Sequence, residues 1–362
     1  MVFLFVASCL FYMAWHPAYI VLILTSTVVD YVVGFRIHAS TDEKVRKRWL
    51  IVSLVSNLGL LGIFKYFNFA SQATADVFHL LFGITIEHPP FLDVLLPVGI
   101  SFYTFQTLSY TIDIYRRKLE PTRSFFQFAV FVTYFPQLVA GPIVRASQLL
   151  PQLARTITLR ENQVTQGIFL IATGLVKKVA IADYLSVNLV DRVFDQPELY
   201  TTAEVVVALY GFTMQIYCDF SGYTDCARGS AKLMGLELPE NFDRPYQSAS
   251  PAEFWRRWHI TLSTWLRDYL YFPLGGSRVG PLRAYWNLWL TMFLIGIWHG
   301  ASWTFVFYAI LQSMAMVIHR FFYRRSGRTR DTIDAWHVHA FKVFWALQFV
   351  VFSRILFRAT SL

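Results

Sequence analysis

The stretch Gly296–Phe305 reads G-I-W-H-G-A-S-W-T-F and sets His299 between Trp298 and Gly300. Apolar residues flank it, Leu290 to Ile297 before and Trp303 to Leu311 after. Long runs of this kind, rich in Leu, Ile, Val and Phe and without period-2 alternation, read as membrane helices rather than barrel strands. An ionisable side chain inside such a run is expensive in hydrocarbon, which makes His299 a candidate functional group. A core histidine whose ring nitrogens are satisfied by neighbouring helices is the plainer alternative.

The rest of the chain extends the pattern. Its 362 residues are 55% hydrophobic and only 15% charged, with 34 Phe, 19 Tyr and 11 Trp. A soluble domain is nearer a quarter charged, so the chain reads as a polytopic, all-α membrane protein. The net charge is +9. Basic residues cluster in short loops beside apolar runs, such as Arg36 with Lys44, Arg46, Lys47 and Arg48, or Arg116 with Arg117 and Lys118. That is the positive-inside pattern, and contact with anionic membrane lipid follows from it. No basic stripe or recognition motif points to nucleic acid. Cys9, Cys218 and Cys226 fit neither a disulfide framework nor a zinc site. His337 and His339 lack the neighbours a metal site needs, and His79 and His88 read as loop or interface residues. With no repeat or linker visible, residues 1–362 read as one domain of about eight to ten membrane segments.

Three stretches interrupt the apolar pattern. Leu96–Tyr115 carries Ser101, Thr104, Gln106, Thr107, Ser109, Thr111 and Asp113. These either bridge helices by hydrogen bonds or line a wet cavity. Phe125–Pro142 is expected to bend or stop at Pro136 and Gly141-Pro142. Cys218–Gly280 is long and polar. Within it, Ser250-Pro251 with Glu253 predicts a helix start. Spacing on that helix puts Trp255, Trp258, His259 and Leu262 on one face, with Arg256 and Arg257 on others. The helix is too polar to span lipid alone, and its aromatics suit an interfacial or re-entrant element.

Five segments carry a resemblance: F-S-G-Y-T-D (220–225), P-E-N-F-D-R-P-Y (239–246), F-W-R-R-W-H (254–259), W-L-R-D-Y-L-Y-F-P-L-G-G (265–276) and I-W-H-G-A-S-W-T-F (297–305). L-P-V-G-I-S-F-Y-T-F-Q (96–106) and P-Q-L-V-A-G-P-I-V-R (136–145) fit as well. With them the chain resembles the membrane-bound O-acyltransferase (MBOAT) family over nearly its whole length, in particular the bacterial branch that O-acetylates alginate and peptidoglycan. It departs from the family at both ends. The opening apolar segment is short, and relatives continue beyond F-R-A-T-S-L (357–362), so a truncated product is expected.

The resemblance implies a helical body with re-entrant or interfacial helices around a central tunnel, in the bacterial inner (cytoplasmic) membrane. It implies transfer of an acyl group, most simply acetyl, from a cytoplasmic thioester to a hydroxyl. Acetyl-CoA or an acyl carrier would be a co-substrate, with no bound cofactor and no metal. The product would be an O-acetylated exported or cell-wall polysaccharide, made together with an extracytoplasmic acetyltransferase partner. The family's membrane histidine falls on His299 and its second histidine on His259. An imidazole suits a general base at neutral pH. Trp298 and Trp303 would wall the tunnel, unless they are plain interface tryptophans. Lys232, Arg244, Arg256, Arg257 and Arg267 are suited to the donor's phosphates, although a lipid-facing basic surface explains them equally well. Asp219, Asp225 and Asp243 are expected to pair with these arginines.

Other enzyme classes fit poorly. The chain has no G-x-S-x-G elbow, no H-E-x-x-H helix and no phosphate-binding P-loop. A proton-coupled transporter or flippase is the main alternative, although no inverted repeat is visible. An inactive membrane scaffold is the other.

Overall fold

A computed structural model describes residues 1–87, 89–327 and 334–359. His88, the end of the basic loop from 328 to 330, and the last three residues of F-R-A-T-S-L lie outside them. The described residues are helical, without strands, and the chain is a membrane protein. Four stretches among them are long and apolar enough to cross a membrane: Pro17–Ala39, Glu43–Phe82, Trp303–Arg325 and Trp336–Arg358. Other helices that the sequence suggests as spans are shorter, more highly charged or less apolar. The chain divides into two compact units, Met1–Thr158 and Leu159–Leu362.

The first unit holds α1 (Val2–Met13), α2 (Ile20–Ala39), α3 (Glu43–Leu61), α4 (Phe67–Phe82), α5 (Ile100–Tyr115), α6 (Phe125–Thr133), α7 (Phe135–Leu138) and α8 (Ala146–Ala154). The predicted break falls after α6, where Tyr134 leaves helical geometry and Pro136 follows in the first turn of α7. Two of the polar residues of α5 bridge helices by hydrogen bonds. Asn57 of α3 donates to Asp30 of α2 at 2.8 Å, and the Ser53 hydroxyl donates to the same carboxylate at 2.5 Å. From α5, Thr107 donates to Asn57 at 3.1 Å, and the hydroxyls of Thr111 and Ser53 meet at 3.0 Å. Asp30, Ser53, Asn57, Thr107 and Thr111 are all buried. They join three helices where lipid offers no hydrogen bonds.

The second unit opens with α9 (Glu161–Leu175), which runs through π-helical turns into α10 (Asp191–Asp195), and then α11 (Thr202–Leu233). Thr201 and Glu204 cap α11 reciprocally. Helices α9 and α11 meet at glycines. A Cβ on Gly222 would lie 2.7 Å from the Gly174 carbonyl oxygen, and one on Gly229 would lie 2.6 Å from that of Gly167. Small residues let two backbones approach this closely. The contact is tied by Lys177 to Asp225 and by Lys178 to Asp219, each at 2.6 Å. Asp219 and Asp225 therefore pair with lysines of the helix facing them, not with the arginines expected from sequence. Lysines one helical turn from Gly174 are carried to the carboxylates by the glycine crossing itself. Gly222→Leu is expected to force α9 and α11 apart, destabilising the protein by roughly 1–3 kcal/mol, the usual effect of overpacking. Thermal unfolding in detergent checks this; an unchanged midpoint would rule out the crossing as a determinant of stability.

Candidate functional site

The remaining helices of the second unit are α12 (Pro251–Arg257), α13 (Ile260–Leu266), α14 (Pro281–His299), α15 (Trp303–Arg325) and α16 (Trp336–Arg358). Helix α12 starts as its sequence predicts. The Ser250 hydroxyl accepts from Glu253 N at 3.2 Å, and the Glu253 carboxylate accepts from Ala249 N at 2.9 Å. It does not continue through His259. Trp258 is extended and His259 is left-handed, with φ 45° and ψ 53°. The single helix carrying Trp255, Trp258, His259 and Leu262 on one face is thus two short helices with a break between them.

The loop 239–246 explains the break. Asp243 N donates to Arg257 O, and Ile260 N donates to Asn241 O, both at 2.9 Å. The Asn241 side-chain oxygen takes three more contacts: Thr261 N at 3.2 Å, the Thr261 hydroxyl at 2.9 Å and His259 Nδ1 at 3.2 Å. A left-handed non-glycine residue is uncommon and costs of order 1–3 kcal/mol. The loop pairs with the backbone on both sides of His259 and holds it there.

This network also sets the chemistry of His259. Thr261 N can only donate, so the Asn241 atom facing it is the carbonyl oxygen. His259 must then carry its proton on Nδ1, which leaves Nε2 with the lone pair. His259 is fully buried, and burial pushes its imidazole down to about 3. The sign for stability follows from this depressed value. Between about pH 6.5 and pH 3 the unfolded chain takes up a proton that the folded chain refuses, so stability falls as pH falls through that window. His259→Asn is expected to flatten this slope. Thermal midpoints of both proteins at pH 7 and pH 4.5 test it, and equal losses on acidification would refute it.

From His259 the site continues through aromatic rings. His259 packs against Phe220 at 4.7 Å and Trp298 at 5.5 Å between ring centroids. Trp298 packs in turn on His299 at 5.1 Å. His299 is the last residue of α14 and is half-buried. Phe357 lies 5.3 Å from its ring and Tyr308 6.3 Å. The two histidines thus share one indole, brought together from the α12–α13 break and the α14 C-terminus. A Cβ on Gly300 would lie 2.2 Å from the Phe305 ring, so the glycine lets a side chain of the same protein approach closely.

The basic candidates disperse. Arg257 pairs with Glu253 at 2.8 Å, and Arg267 with its neighbour Asp268 at 2.7 Å. Lys232 donates to Gln166 at 3.0 Å. Arg244 is exposed in a left-handed turn. Arg256 borders a cavity of about 1060 Å³, together with His319, Arg320 and Lys342. Leu288 of α14 lines the same cavity, and His299 ends that helix about 16 Å further along its axis at 1.5 Å per residue. Trp303 opens α15 and is 36% exposed. Among the described residues no group of three or more His, Cys, Asp or Glu side chains could hold a metal ion.

Sequence reasoning passed over Asn241, Tyr308, Arg354 and Phe357. Asn241 stands inside a quoted motif. Arg354 is the one charge in the run Val343–Phe357, which is the signal an intramembrane functional residue gives.

A helical membrane protein with a buried histidine and a half-buried one joined through a tryptophan is the class that fold and site define. The profile of the membrane-bound O-acyltransferase family, MBOAT, matches residues 116–360, and the chain belongs to that family. It is 43% identical over 321 residues to a probable alginate O-acetylase of Pseudomonas aeruginosa, covering 88% of this chain and 60% of the relative. It is 35% identical over 388 residues to a peptidoglycan O-acetyltransferase of Helicobacter pylori, covering 99% and 71%. A teichoic acid D-alanyltransferase of Bacillus subtilis is 28% identical over 251 residues, covering 65% of this chain and 62% of its own length. The chain therefore spans 60% to 71% of the length of these three relatives.

Proposed function

We propose that this chain transfers an acyl group, most simply acetyl, from a cytoplasmic thioester to a hydroxyl, and so serves O-acetylation of an exported or cell-wall polysaccharide such as alginate or peptidoglycan. The observation that carries the reading is the His259–Trp298–His299 array within an MBOAT chain. The named relatives are all transferases or acetylases of surface polymers.

His299 is the general base. It is half-buried at a helix end, where a substrate can reach it. The acceptor oxygen attacks the thioester carbonyl carbon while its proton passes to the His299 imidazole. The carbonyl electron pair moves onto oxygen, then re-forms the double bond and expels the thiolate, which takes the proton back from the imidazolium. His259 is a poor base because burial disfavours its charged form; it supports the site through Trp298. Acetyl-CoA, or an acyl carrier, is the donor. The cavity bordered by Arg256 and Arg320 suits its phosphates. The protein crosses the bacterial cytoplasmic membrane several times with its Lys- and Arg-rich loops inside. An extracytoplasmic acetyltransferase receives the acetyl group or passes it on.

The test supplies purified protein in nanodiscs with ¹⁴C-acetyl-CoA and alginate or peptidoglycan oligosaccharides, with and without a co-purified extracytoplasmic partner. Label in the oligosaccharide or the partner is expected. Proton-linked uptake into vesicles without any transfer would overturn the reading in favour of a transporter.

A further inference from the structure

Arg354 is the largest fully buried side chain of the chain's described residues, at 2% exposure. It projects from α16, one turn before Phe357. Its guanidinium lies over the Trp258 ring at 4.7 Å and the Phe357 ring at 5.3 Å. Nε and Nη2 are both buried and make no hydrogen bond, and no carboxylate pairs with it among the described residues. The Tyr246 and Tyr308 side chains feel its charge. Tyr246 is a neutral partner: its hydroxyl donates to Thr213 O at 2.6 Å while its oxygen accepts from the guanidinium, which supplies no negative charge and leaves Nε and Nη2 idle.

A buried cation with donors left over is costly, and folds keep one where a ligand or a reaction supplies the missing negative charge. Cation–π contact with two rings holds the guanidinium in place, but rings accept no in-plane N–H. The location names the charge. Phe357 stands against Arg354 on one side and against His299 on the other, and Tyr308 is the second ring beside His299. The base and the idle donors thus border the same aromatic wall.

We propose that Arg354 is a catalytic residue that stabilises the oxyanion formed on the thioester carbonyl when the acceptor attacks. This rests on the acyl-transfer reading with His299 as base. As the carbonyl electron pair moves onto oxygen, Nε–H and Nη2–H donate to it. When the thiolate leaves and the double bond re-forms, those donors are released. Donors fixed in a water-poor site act mainly on the transition state, so the signature is in kcat. A guanidinium that instead anchors an anionic acceptor would show itself in KM.

The experiment measures label transfer from ¹⁴C-acetyl-CoA in wild type, H299A, Arg354→Met and Arg354→Lys. Size-exclusion profile and thermal midpoint report folding. Arg354→Met is expected to lose about 10²–10³-fold in kcat, with KM for acetyl-CoA and acceptor within about twofold of wild type. Arg354→Lys keeps the buried charge but loses the planar two-point donation. It guards against an Arg354→Met protein that fails to fold, and its kcat is expected to fall at least about tenfold. A folded variant of either kind with wild-type kcat overturns the proposal. A loss confined to the acceptor KM overturns it in favour of an anchor for an anionic acceptor. Wild type with no transfer sinks the acyl-transfer reading itself, whereas active wild type, dead H299A and active Arg354 variants sink this inference alone.

Discussion

His299→Ala is expected to abolish acetyl transfer, lowering kcat by about 10²–10⁴-fold or more, in a protein that still folds and inserts. His299 is half-buried at the end of α14, so its removal leaves a gap beside Phe357 and Tyr308 rather than a cavity in the core. As a C-terminal group it contributes only about 0.3–1 kcal/mol to the helix dipole when charged. Catalytically it is the member of the pair that an acceptor can reach, because His259 is fully buried and His299 is not. His259 stays neutral down to about pH 3, because burial disfavours the charged form that a base must take on. Transfer of ¹⁴C-acetyl by purified H299A at the wild-type rate would remove His299 from the mechanism.

Asn241→Ala is expected to damage both stability and activity. One side-chain oxygen serves Thr261 N, the Thr261 hydroxyl and His259 Nδ1, all in a buried setting. Deleting it strands donors away from water at roughly 1–3 kcal/mol each, a large share of a typical folding free energy of about 5–15 kcal/mol. It also frees His259 to change tautomer and leave its left-handed conformation, which shifts the Trp298 wall. A thermal midpoint lowered by several degrees is expected, with kcat reduced about tenfold or more even where the protein stays folded. Asn241→Asp keeps the acceptor and should restore part of the activity. Were Asn241→Ala to match wild type in both midpoint and kcat, the loop 239–246 would not be what holds His259.

Much of this protein is legible along the chain. Composition and unbroken apolar runs identify a helical membrane protein, because lipid admits only closed hydrogen-bonding patterns. The cap at Ser250 and the break near Pro136 follow from local backbone chemistry, and both occur where expected. His299 stands out because a titratable group in an apolar run is costly. The basic candidates were harder to read. Charge marks Arg256, Arg257 and Arg267 alike, yet only packing leaves Arg256 at a cavity while Arg257 and Arg267 turn to adjacent carboxylates.

The class of fold, the membrane setting, the motif histidines and the family can all be read along the chain. Tertiary structure decided the rest. It split the 251–266 helix, because the backbone groups of loop 239–246 offered partners that a continuous helix would have left unmet. It brought His259 to the Trp298 face, Arg354 over the Trp258 ring and Phe357 beside His299, across long separations in sequence. Helical periodicity reports which face a residue occupies on its own helix. Which helix meets that face is set by long-range packing, and no spacing along the chain encodes it directly.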